Sequence, residues 1–169
     1  MVFRAWLLVL LLPTTAFAQI DRIRAQAPVE PRGDLTIGFA AINENIGTSG
    51  GLSVSAALRG GRAALVGELI FYTPIARPYA RTKETEIKYM GGVRVYGPHA
   101  RTRLFGQFQA GNTPAAFFAL FPGVGVDASI GRRAAIRGVF DVKISADESW
   151  FFGSRFSLGL VMLLGSRSR

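Results

Sequence analysis

Cysteine is absent from this 169-residue sequence, and histidine occurs once, at His99. Disulfide bonds and thiolate metal sites are therefore excluded, and no metal-ligand cluster is present. After residue 18, no apolar run approaches the roughly 20 residues that a membrane-spanning helix needs. If the exported chain crosses a membrane, it must cross as strands, because lipid tolerates only helices and closed barrels.

The N-terminus has the pattern of a cleaved secretory signal. Arg4 precedes an apolar run from Ala5 to Leu12, and small residues at 16 and 18 precede a potential cleavage site after Ala18. The run is too short to span a bilayer. We therefore predict a signal-peptide helix over residues 1–18 and a flexible periplasmic lead-in over residues 19–33.

After Gly33, apolar and polar residues alternate with a period of two, as they do in strands. The pattern occurs eight times, in segments near the 9 to 11 residues of a tilted transmembrane strand. The segments are 35–41, 51–58, 63–72, 86–96, 101–110, 120–130, 134–144 and 154–164. We predict an all-β fold, an eight-stranded antiparallel up-and-down transmembrane β-barrel over residues 34–165, with a C-terminal tail over 166–169.

The connections alternate in predicted length. Long ones cover 43–50, 73–85, 111–119 and 145–152, whereas tight ones cover 59–62, 97–100 and 131–133. Short turns on one rim and longer loops on the other are typical of bacterial outer-membrane barrels, whose short rim faces the periplasm. The predicted location is therefore the bacterial outer membrane.

The two faces of the predicted strands differ in charge. One parity carries only apolar residues and glycine, whereas the other carries the ionisable ones. The charged set is Glu68, Arg94, Asp127, Arg137, Asp141, Lys143 and Arg155. If the apolar face meets lipid, these groups share a narrow lumen and must pair. We predict an ion-pair network that plugs the barrel. The alternative is an exported soluble barrel, similar to a lipocalin, with the apolar face inward and an apolar ligand inside.

Aromatic residues cluster near the long-loop rim, where an interfacial girdle belongs. The predicted girdle consists of Phe71, Tyr72, Phe117, Phe118, Phe121, Trp150, Phe151 and Phe152. Tyr96 and Phe105 are predicted to form a thinner counterpart at the opposite rim.

Basic residues mark both rims. The short-turn rim carries Arg59, Arg62, Arg101, Arg103, Arg132 and Arg133. We expect this rim to lie against anionic headgroups of outer-membrane lipids. On the long-loop rim, Arg77, Arg81 and Lys83 are candidates for contact with lipopolysaccharide phosphates. Nucleic acid is not an expected partner.

The residue pattern predicts no enzyme, no catalytic residue, no metal site and no cofactor. His99 lies in a tight turn that the topology assigns to the periplasm, and no Ser-His-Asp spacing or phosphate loop accompanies it. A lipid A-modifying enzyme, which needs a histidine in the outer half, is the third hypothesis.

Gly123-Val-Gly-Val-Asp127, followed by the basic stretch 132–137 and Asp141, resembles the glycine-rich hairpin of OmpA-like outer-membrane β-barrel domain proteins. The resemblance extends over 101–111 and 155–165. It implies a bare barrel domain, inserted by the outer-membrane assembly machinery. The sequence departs from such barrels at its C-terminus, which lacks the aromatic residue that this machinery reads.

Overall fold

The computed structural model describes residues 31–44, 47–76, 85–98, 101–113, 116–145 and 151–166. They form eight strands: β1 (Pro31–Glu44), β2 (Gly47–Gly60), β3 (Ala63–Ala76), β4 (Glu86–Tyr96), β5 (Thr102–Thr113), β6 (Ala116–Ser129), β7 (Ala134–Ser145) and β8 (Phe151–Ser166). Consecutive strands pair antiparallel, and β8 closes on β1. The predicted eight-stranded antiparallel barrel is therefore confirmed. The predicted signal peptide, residues 19–30 of the lead-in and residues 167–169 lie outside the described residues. Among the described residues, no helix has the length and apolar character needed to cross a membrane.

Alternation along each strand divides the side chains between an outer and an inner face. Large apolar side chains lie on the outer face of every strand, and Leu58 is 75 % and Leu104 69 % exposed. Across the sheet they include Ile37, Phe39, Leu52, Leu65, Leu69, Val93, Phe108, Val124, Ile136, Phe140, Leu158 and Leu160. The apolar parity faces outward, which is the opposite of what the soluble carrier requires.

The strands are staggered around the barrel. Stepping from Ile42 on β1 to its partner on the next strand, and so on once around the barrel, leads to Arg59 on β2. Arg59 lies opposite Arg32, because its neighbour Leu58 pairs with Gly33. The path therefore returns to β1 ten residues before its start. The path runs through Ile42, Arg155, Asp141, Gly123, Gln107, Arg94, Ala64 and Arg59. Such a stagger accompanies strands tilted by roughly 35–45°. It also aligns several charged residues along one line inside the barrel.

The two rims differ less in connection length than the sequence predicted. We call the rim at the β1–β2, β3–β4, β5–β6 and β7–β8 connections the upper rim, and the other the lower rim. The predicted long loops at 43–50 and 111–119 are wrong, because Glu44 pairs with Gly47 and Thr113 with Ala116. Backbone pairing continues there beyond the alternating pattern, since any residue with a free N–H and C=O can extend a ladder.

The first strand also begins earlier than predicted. Pro31 pairs with Ser166, and Gly33 pairs with Leu164, so residues 31–33 belong to the barrel rather than to the lead-in. Proline is tolerated at the first residue of a strand, where its missing N–H costs little. On the upper rim, the connections at 77–85 and 146–150 remain the longest.

Candidate functional site

Charged side chains fill the interior of the barrel. Five carboxylates and six cations project from the inner face and are buried. They are Asp34, Glu44, Glu68, Asp127 and Asp141, with Arg59, Arg94, Arg103, Arg137, Lys143 and Arg155. All seven residues of the predicted lumenal network lie in this set. Sequence reasoning missed Asp34, Glu44, Arg59 and Arg103, which lie at strand ends that were assigned to turns or given no face.

The lower part of the lumen holds two carboxylates bridged by Arg137. Its Nε and Nη2 donate to Asp127 Oδ1 and Oδ2 at 2.7 and 2.9 Å, and its Nη1 donates to Asp34 Oδ1 at 2.8 Å. Arg59 donates to Asp34 Oδ2 from Nε and Nη2 at 2.9 and 2.6 Å. Arg103 Nη2 stands 3.7 Å from Asp127 Oδ2. Arg137 contacts both oxygens of Asp127, the two-point arrangement that best offsets desolvation, and Arg59 contacts one Asp34 oxygen through two nitrogens.

Two aromatic rings lie among these arginines. Tyr96 and Phe105 meet edge to face, with ring centroids 5.5 Å apart. The guanidinium carbons of Arg59 and Arg103 lie 4.1 and 4.2 Å from the centre of the Tyr96 ring, and that of Arg94 lies 4.5 Å from Phe105. Ring faces attract cations at such distances. The prediction that Tyr96 and Phe105 form a girdle at the lower rim is therefore wrong, because they share the inner parity of the charged residues.

A second cluster surrounds Arg155 in the middle of the lumen. This side chain is 1 % exposed. Its Nε donates to Asp141 Oδ2 at 2.8 Å, its Nη1 to Glu68 Oε2 at 3.0 Å, and its Nη2 to Gln109 Oε1 at 2.6 Å. A guanidinium without such partners would be very costly to bury. Two carboxylates and an amide hold it in place and close the barrel at this level.

Gln107 joins the two clusters. Its Oε1 accepts from Arg94 Nε and Nη2 at 3.1 and 2.9 Å, and its Nε2 donates to Asp141 Oδ1 at 2.8 Å. Arg94 has no carboxylate partner within the described residues, and it relies on this amide, the Tyr96 hydroxyl and the Phe105 ring. The network is therefore continuous from the lower rim to the middle of the barrel.

Inward-facing glycines make room for the network. Gly123 and Gly125, from the Gly-Val-Gly-Val-Asp motif, lie on β6 opposite the Asp141 carboxylate and the Phe105 ring. A Cβ atom at either position would collide with that group. The glycines of the motif thus allow large side chains from neighbouring strands to cross the lumen.

Apolar residues pack beside the Arg155 cluster, where Met90 and Phe121 contact the guanidinium group. Ile42, Ile70, Tyr72, Met90 and Phe121 pack together with two alanines. Tyr72 and Phe121 were predicted in the lipid-facing girdle, and this is wrong for both, because adjacent strand residues face opposite sides and their neighbours point outward. A buried pair between Lys143 and Glu44 lies nearer the upper rim.

The remaining girdle residues divide into two groups. Phe118 and Phe152 are exposed on the outer face, and Phe71 is partly exposed there. The side chains of Phe117, Trp150 and Phe151 lie outside the described residues.

At the lower rim, the predicted basic patch is smaller than expected. Arg59 and Arg103 were predicted on its surface, but both side chains point inward, because they contact buried carboxylates and the Tyr96 ring. The exposed members are Arg62, Arg101, Arg132 and Arg133. The predicted lipopolysaccharide contacts Arg77, Arg81 and Lys83, and also His99, lie outside the described residues. Within those residues, no group of three or more His, Cys, Asp or Glu side chains is placed to hold a metal ion.

Comparisons with known proteins show a likeness in fold but none in sequence. No protein-family model matches the chain, and no curated protein matches it. The resemblance to OmpA-like proteins therefore remains a prediction from the sequence. Among solved structures, the crystal structure of Neisserial surface protein A is similar over 78 % of this chain and 96 % of its own, with a TM-score of 0.48 and 12 % sequence identity.

Proposed function

We propose that this chain is an outer-membrane protein of the OmpA-like type, with a structural or interaction role carried by a closed barrel. The observation that carries the proposal is the polarity of the barrel, which is apolar outside and charged inside. A soluble barrel needs the reverse arrangement, because water solvates charges and disfavours large apolar surfaces.

The outer belt supports a lipid environment. Large apolar side chains from all eight strands are about half exposed or more. Monomeric soluble proteins rarely expose contiguous apolar patches of more than a few hundred Å². A belt that encircles the barrel would cause aggregation in water, whereas acyl chains would cover it without cost.

The filled lumen supports a structural or interaction role rather than solute passage. The interior of an eight-stranded barrel is just wide enough for side chains. Here Arg137 and Arg155 cross it between carboxylates from different strands. Purified protein in planar bilayers should therefore show no stable open conductance.

The upper-rim connections are the proposed contact sites. With the short β2–β3 and β6–β7 turns in the periplasm, the connections at 77–85 and 146–150 face outward. Arg77, Arg81 and Lys83 are proposed to contact lipopolysaccharide phosphates, and the assembly machinery is the proposed partner during insertion. The proposed role is not enzymatic, so His99→Ala should leave the lipid A profile of producing cells unchanged.

One set of measurements tests the proposal. The protein should fractionate with outer membranes, require detergent to stay in solution, and migrate faster on a gel when unheated than when boiled. Protease treatment of intact cells should cleave only within the upper-rim connections. A protein that stays monomeric and soluble without detergent would overturn the proposal.

A further inference from the structure

An apolar groove interrupts the outer face of the barrel. It has a volume of about 590 Å³ and runs along β4 to β7. Val93, Phe108, Val124 and Phe140 form its walls, and Gly106 lies in its floor. No heavy atom lies within 4 Å of the place where a Cβ atom on Gly106 would stand, so the groove opens fully to the outside.

Positive charge lies below this groove, at the lower rim. Val124 lies on β6 and Phe140 on β7, and the turn that joins these two strands is Ile130-Gly-Arg-Arg133. Arg132 and Arg133 are exposed there. One wall of the groove therefore leads directly to two adjacent cations.

We propose that the groove and this turn together bind one anionic phospholipid, with an acyl chain in the groove and the phosphate against Arg132 and Arg133. The proposal rests on the proposed function, because it requires the lower rim to lie at the periplasmic leaflet. Arginine binds phosphate through charge-assisted hydrogen bonds, and a concave apolar surface gives an acyl chain more dispersion contacts than a convex one.

The dimensions agree with this arrangement. The six residue steps from Val124 to Ile130 span about 20 Å along a strand. At a tilt of roughly 35–45°, this becomes about 15 Å along the membrane normal. That length is half of the roughly 30 Å hydrocarbon core. A phosphate at the turn thus places its acyl chain beside the groove.

The charge favours a lipid over a second copy of the chain as the occupant. Two copies in one membrane have the same orientation, so a symmetric contact through the groove would bring their turn arginines together. Like charges would then repel, whereas an anionic headgroup neutralises them.

The test compares two lipids and two pairs of matched variants. Protein in neutral detergent is mixed with equal amounts of phosphatidylglycerol and phosphatidylcholine that carry the same acyl chains, and bound lipid is measured by native mass spectrometry. The unaltered protein should prefer phosphatidylglycerol by roughly 10- to 30-fold, as two arginines near the headgroup would give. Gly106→Leu should abolish retention, and Arg132→Ser/Arg133→Ser should abolish the preference.

Each variant has a control that makes the same change elsewhere. Gly67→Leu also adds an outward leucine where no atom lies within 4 Å, but outside the groove. Arg32→Ser/Arg62→Ser removes two exposed arginines from the same rim on β1 and the β2–β3 turn. Both controls should bind lipid as the unaltered protein does.

Three outcomes would overturn the lipid site. These are equal retention of both lipids, equal behaviour of Gly106→Leu and Gly67→Leu, or a lipid-free dimer that Gly106→Leu dissociates. Heat-dependent gel mobility of the same samples separates this inference from the proposed function. A heat-modifiable barrel without lipid preference contradicts only the lipid site, whereas a chain that is soluble without detergent contradicts both.

Discussion

Removal of the Asp127 carboxylate should weaken the barrel strongly. Asp127→Ala deletes two hydrogen bonds from Arg137, at 2.7 and 2.9 Å, and an anion that lies 3.7 Å from Arg103. Hydrogen bonds to charged groups contribute about 1.5–3 kcal/mol each, and breaking a buried ion pair costs about 3–5 kcal/mol. We expect the free energy of unfolding to fall by about 3–5 kcal/mol, because the buried Arg137 then keeps only one of its two carboxylate partners.

The assay is guanidinium unfolding of the barrel in phospholipid vesicles, with the folded fraction measured by gel mobility without boiling. Asp127→Asn keeps the size of the side chain and removes its charge, so it should lose most of the same free energy. Glu86→Ala is the matched control, because Glu86 forms a partly exposed pair with Lys88 at 2.9 Å. Exposed pairs contribute about 0–1 kcal/mol. A loss below about 1 kcal/mol for Asp127→Ala, equal to that of an exposed pair, would refute the idea of a dry, closed lumen.

Three further variants test other parts of the fold by the same unfolding assay. Leu158→Arg should cost about 2–4 kcal/mol near the bilayer midplane, whereas Leu58→Arg beside the lower rim should cost about 0–1 kcal/mol, and equal costs would contradict the assigned membrane position. Gly125→Ala should cost about 1–3 kcal/mol, because its Cβ collides with an inward ring, and Gly67→Ala should leave packing undisturbed. Gln107→Leu should cost about 1.5–3 kcal/mol, since an arginine loses its amide acceptor, and an unchanged midpoint would show that water replaces the amide.

The face of each strand residue was predictable from the sequence because alternation has a period of two. One correct assignment on a strand therefore determines its neighbours. Glu68, Arg137 and Asp141 were placed inside on this basis, and they lie there. The same rule, applied to Tyr96 and Phe105, would have placed them inside as well. The girdle prediction is wrong for both because it rested on their aromatic type and not on their position in the alternation.

The ends of the strands were not predictable from hydropathy. Backbone pairing continues through Asn43 and Glu44 on β1, although their side chains are polar. Polarity reports the environment of a side chain, whereas pairing depends on backbone groups that nearly all residues share. Asp34 and Arg59 were missed for this reason, since Asp34 lies near the start of β1 and Arg59 lies beside the β2–β3 turn. Their partnership depends on register between strands, which a single sequence does not encode locally.

The ion cluster around Asp34 connects strands that are far apart along the chain. Asp34 lies on β1, and Arg137, which donates to it, is 103 residues away on β7. Until β7 and β8 join, the inner faces of β1 to β6 carry four of the lumenal carboxylates and only three of the arginines. Contacts this distant in sequence form late, so charge compensation and the joining of β8 to β1 become a single event. A barrel without β7 and β8 would therefore keep an excess of negative charge on its inner face.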